Sequence, residues 1–89
     1  MNLEMKITKE DITKILAKYD VAGLIESGAP KDEYDAEAKR IWEKLKLHKN
    51  KIGDNTLANF ISLTFNDLLL CKVDYEICLK IVKEIKNYV

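Results

Sequence analysis

Asp20-Val21-Ala22-Gly23-Leu24-Ile25-Glu26-Ser27-Gly28-Ala29-Pro30-Lys31-Asp32-Glu33-Tyr34-Asp35 decides how the rest of this chain is read. The segment holds the only proline and two of the three glycines among 89 residues, together with five acids. Proline fixes φ, and glycine reaches positive φ without steric cost, so gathering them in one place marks a connection of definite shape. On either side of it, apolar residues recur every three or four positions, which is the period of an amphipathic helix.

Upstream, Thr8 is placed to cap a first helix, with Asp11 reaching back in a variant capping box. Ile12, Ile15, Leu16 and Tyr19 form its apolar stripe, and it should end near Asp20. Downstream, Asp32 or Asp35 is expected to cap a second helix, with Glu33 and Glu37 in or beside its first turn, where acids complement the helix dipole. Tyr34, Ala38, Ile41, Trp42 and Leu45 share a face, which makes Trp42 a core anchor against the third or fourth helix. Lys39, Arg40, Glu43, Lys44 and Lys46 form the solvated flank, and Lys49, Asn50, Lys51 and Gly53 a polar connection.

Asp54 or Asn55 is the expected cap of the third and most apolar helix, whose stripe is Leu57, Phe60, Ile61, Thr64, Phe65 and Leu68. Asp74 opens a fourth, with Cys78, Ile81, Val82 and Ile85 on one side and Lys80, Lys83, Glu84 and Asn87 on the other. Ile77, Leu79 and Tyr88 widen its apolar stripe. No run of alternating β-branched residues is bounded by a hairpin turn. The expected fold is all-α: a four-helix bundle-like single domain over residues 1–89, with a long loop between helices 1 and 2.

A chain of 89 residues can bury one core without staples, about 60–65% of the surface of the unfolded chain being removed from water at this size. Its longest apolar run, Leu68-Leu69-Leu70-Cys71, falls far short of a membrane span. The start, Met1-Asn2-Leu3-Glu4-Met5-Lys6, lacks the pattern of a signal peptide, so a cytoplasmic location is expected. Cys71 and Cys78 match neither a zinc knuckle nor a redox pair, and both are read as reduced. Zero formal net charge removes the long-range field on which nucleic-acid and anionic-membrane binders rely. The charge is segregated along the chain: six acids face Lys31 alone between Asp20 and Glu37, and six bases face Glu43 alone between Ala38 and Gly53.

Specific chemistries were weighed against this pattern. The loop acids are dense enough to suggest a hard cation such as Mg²⁺ or Ca²⁺, yet neither Asp20 nor Asp32 begins the alternating series of an EF-hand, and helix capping with solubility is the simpler role. His48, the sole histidine, falls at the end of helix 2, where it complements the helix C-terminus. A dyad through His48 would need Cys71, Cys78, Ser27 or Ser62, none of which sits in a nucleophile signature. Gly23 and Gly28 form no phosphate-binding loop, and no cofactor motif is present. The bases from Lys39 to Lys51 spread around a helix without interleaved exposed aromatics, so they read as a solvated face and not as a nucleic-acid site. Cys78 reads as a small core residue and Cys71 as partly exposed.

The run Gly28-Ala29-Pro30-Lys31-Asp32-Glu33-Tyr34-Asp35-Ala36-Glu37, followed by Ile41 and Leu45, resembles a family of small bacterial proteins of unknown function. That family carries a Gly-Ala-Pro-x-Asp-Glu-Tyr-Asp segment after an Asp-Pro-rich end of helix 1, and a late Cys-x-x-Ile-x-x-x-Ile pattern made here by Cys78, Ile81 and Ile85. Val21 stands where the family often has proline after aspartate. The resemblance implies a small helical domain and carries no catalytic residues to transfer.

The function expected from these features is a non-enzymatic protein-interaction domain that uses the acidic loop 20–37, with Asp20, Asp32, Glu33, Tyr34 and Asp35 meeting a partner of basic surface. One special case is a toxin-neutralising immunity protein. The competing class is a small metal-dependent enzyme or binding protein built on the loop carboxylates Asp20, Asp32, Glu33 and Asp35.

Overall fold

The computed structural model describes residues 7–20, 23, 26–28, 33–48, 51–70 and 72–88. Among the described residues the regular elements are helices: α1 (Lys9–Tyr19), α2 (Asp35–Leu47), α3 (Asp54–Leu69) and α4 (Tyr75–Lys86). Residues 20–34 make the long connection between the first two.

The start of α1 is a closed capping box. The Asp11 N–H donates to Thr8 Oγ1 at 3.1 Å, and the Thr8 N–H donates to the Asp11 carboxylate at 2.9 Å, so two otherwise orphaned amides are satisfied. The helix ends where Asp20 turns left-handed at φ 46°, its N–H donating to the Leu16 carbonyl at 2.8 Å. Asp74 opens α4, accepting from the Glu76 N–H at 3.3 Å.

The other two starts differ from the sequence expectation by one position. The N-cap of α2 is Tyr34, which offers no side-chain cap, and Asp35 is already the first helical residue, its carboxylate bonded to Lys9 of α1. Asp32 lies outside the described residues. The N-cap of α3 is Gly53 in extended conformation, again without a side-chain cap, so Asp54 and Asn55 belong to the first turn.

Each helix packs on two others: α1 on α2 and α4, and α3 on α4 and α2. Leu16, Ile41, Phe65 and Ile81, one from each helix, are fully buried in a single apolar cluster. The radius of gyration, 12.3 Å, is what a compact chain of this length should have, about 12 Å. Several expected core members are displaced outward, Tyr19, Phe60, Ile77 and Leu79 being half-buried. Leu68 and Tyr88 are exposed, since each lies in the last turn of its helix or beyond it. Trp42 is half-buried: its indole N–H donates to the Ile7 carbonyl at 3.3 Å, tying α2 to the segment before α1, and the Lys46 ammonium lies 4.7 Å from the ring centroid. The indole therefore shields the edge of the core instead of anchoring its centre.

Polar ties close the remaining seams. Glu84 of α4 accepts from Tyr19 Oη at 2.5 Å and from Lys18 Nζ at 2.9 Å, both on α1. Lys86 Nζ donates to the Ile52 carbonyl at 2.6 Å and pairs with Asp54, while Arg40 and Asp67 approach to 3.5 Å across α2 and α3. Pairs this exposed add little stability, so apolar burial holds the helices together.

Candidate interaction surface between α1 and α2

Asp20 organises the described part of the loop from inside. As the left-handed cap of α1 it projects its carboxylate into the connection, where Oδ1 accepts from Tyr34 Oη at 2.6 Å and Oδ2 accepts from the Glu26 N–H at 3.0 Å. Its carbonyl accepts the Gly23 N–H at 2.8 Å, and the Gly23 carbonyl in turn accepts the Ser27 N–H at 3.1 Å and Ser27 Oγ at 2.8 Å. Gly23 and Gly28 both have positive φ, 69° and 106°, so a side chain at either would strain the turn. Local bonds thus hold the described part of the loop, Gly23 and residues 26–28.

Tyr34 is fully buried, its ring 5.8 Å from that of Phe65 on α3 and tilted by 60°. This geometry is a favourable aromatic pairing, and the phenol bonded to a carboxylate is a short, charge-assisted hydrogen bond. Tyr34, expected to meet a partner, is buried here and bonded to Asp20.

Asp35 is likewise engaged within the chain. Lys9 Nζ donates to its two oxygens at 2.7 and 2.8 Å, and Thr13 Oγ1 lies 3.3 Å from one of them. The Lys9 hydrogen bond and charge hold the Asp35 carboxyl below the usual carboxylate range. Of the five residues singled out in the sequence, Asp20, Tyr34 and Asp35 are therefore internal ties, Glu33 is exposed, and Asp32 is outside the described residues. Glu26, Ser27 and Gly28 join Glu33 on the exposed rim.

Sequence periodicity missed Glu37. In the first turn of α2 it looks like an acid placed for the helix dipole, but it is only 2% exposed, and its Oε1 has no hydrogen-bond partner. The first-turn position favours the anion by about 0.3–1 kcal/mol, whereas desolvating a carboxylate costs several kcal/mol. Burial prevails and pushes the Glu37 carboxyl above its usual range, with Glu33 adding to the rise and its own backbone N–H and Arg40 opposing it.

Among the described residues no group of three or more His, Cys, Asp or Glu side chains gathers to hold a metal ion. Cys78 is free, fully buried and pushed up to about 11 by desolvation, which makes it a poor nucleophile; Cys71 lies outside the described residues. No described helix is long and apolar enough to cross a membrane. No protein-family model, curated protein or solved structure matches the chain.

Proposed function

We propose that the protein is a non-enzymatic, four-helix bundle-like interaction module whose loop between α1 and α2 is its recognition surface. The observation that carries this reading is the Asp20 carboxylate, which binds Tyr34 Oη and the Glu26 N–H at once and so braces the loop against the helices. A loop held this way loses little conformational entropy when a partner docks on it. Glu26 and Glu33 then present negative charge from a fixed frame, which suits a protein partner with a basic surface. An unpaired, buried Cys78 suits a compartment that keeps thiols reduced, such as the cytoplasm. A toxin-neutralising protein is the special case in which the partner is a basic enzyme.

Reversing Glu26 and Glu33 to Lys tests the proposal without touching the internal ties. The expected result is that partners captured from the native cytoplasm by the unaltered protein are lost by the variant at equal thermal stability. Retention of every partner by the folded variant refutes the recognition role.

A further inference from the structure

We infer that Glu37 is a proton-operated latch: with the carboxyl neutral, the first turn of α2 and the Tyr34–Asp20 tie beside it stay closed, and ionisation loosens them. The latch concerns the conformation of the loop and holds whatever the loop binds.

Three features place the device. Glu37 is 2% exposed, and Oε1 has no partner, so a negative charge there is largely shielded from solvent and incompletely hydrogen-bonded. It sits one turn after Tyr34, whose carbonyl accepts the Ala38 N–H at 2.9 Å and whose hydroxyl is bonded to Asp20. Opening that turn to hydrate Glu37 therefore pulls on the bond that braces the loop.

The charged groups acting on Glu37 are Glu33 and Arg40, each about one turn away along the chain. Of the elements packed against α2, α1 brings Lys9, which is committed to Asp35, and α3 brings Asp67, which is committed to Arg40. Arg40 is the group to which an ionised Glu37 can turn, but Asp67 competes for it at 3.5 Å. Protonation favours the closed form because the folded state holds the proton more tightly than the unfolded chain. The stabilisation is complete below the ordinary Glu value of 4.5 and is lost as pH rises through the raised folded value.

The experiment follows the denaturation midpoint of the native protein and of Glu37→Gln from pH 4.5 to 8, with amide exchange measured at both ends. Expected are a midpoint that falls with pH in the native protein and stays level in Glu37→Gln. Protection factors at Glu26 and Ala38 should drop toward pH 8 while that of Ile61, inside α3, is kept. A level native midpoint overturns the inference, whether or not the Gln variant folds. So does an equal slope in Glu37→Gln, or a uniform loss of protection, which would make the effect global. Since no readout involves a partner, failure here is distinct from failure of the recognition role.

Discussion

At the scale of single residues, Asp20 and Tyr34 convert a helix end into a loop scaffold. The phenol reaches the carboxylate at 2.6 Å while its ring is packed on Phe65, so one side chain serves both core and loop. Tyr34→Phe keeps the ring and removes the hydroxyl. Its expected cost is about 1.5–3 kcal/mol, the range for a hydrogen bond to a charged group, and urea denaturation at neutral pH measures it. A change within error would mean that water replaces the phenol at Asp20. The variant also separates bracing from packing, because exchange at the Glu26 amide should quicken even if the core is unaltered.

At the scale of elements, the helix ends differ in how fully they are satisfied. Thr8 and Asp74 supply side-chain caps, but Gly53 leaves the first turn of α3 without one. Gly53 has φ −68° and ψ 155°, and a Cβ built there meets nothing within 4 Å. Gly53→Ser should therefore stabilise the protein by about 0.5–1 kcal/mol, by supplying an acceptor and by restricting the unfolded chain. An unchanged or lower melting temperature would show that the extended conformation at this position is not kept. The same comparison shows what the sequence could reveal. The Thr8–Asp11 box was legible because its partners are three residues apart and the bonds follow from local geometry. The bond between Tyr34 and Asp20 was not, since it depends on how the intervening loop folds back. Glu37 was misread for the converse reason: an acid in a first turn matches the helix dipole, and nothing in its spacing reveals that the site is covered. Periodicity identified Ile41 and Leu45 as buried but overstated Trp42, whose ring is wide enough to lie at the border of the stripe.

For the whole molecule, the carboxylates divide into two groups with opposite responses to pH. Asp35 is held low by Lys9, and Glu84 by Tyr19 and then Lys18, so the stability each contributes is complete above its ordinary value and lost as pH falls through its depressed folded value. Glu37 contributes in the other sense, its stabilisation fading as pH rises above 4.5. The expected profile is a stability maximum near pH 4.5, with an acid limb below it and a decline above. Thermal melts from acid to mildly alkaline pH check this. In Tyr19→Phe the acid limb should move to higher pH, and an unmoved limb would remove Glu84 from the account. The fold class was readable from the apolar spacing alone, whereas this division of the acids required knowing which of them find a partner.

The seam between α1 and α4 joins Tyr19 and Lys18 to a carboxylate 65 and 66 positions further along the chain. During synthesis, α1 therefore emerges long before Glu84 exists, and among the described helices that pack on it α2 alone is then available to shelter its apolar stripe. The nascent chain must carry an incomplete core until its last helix arrives, the stage at which exposed apolar surface is most open to chaperones or to aggregation.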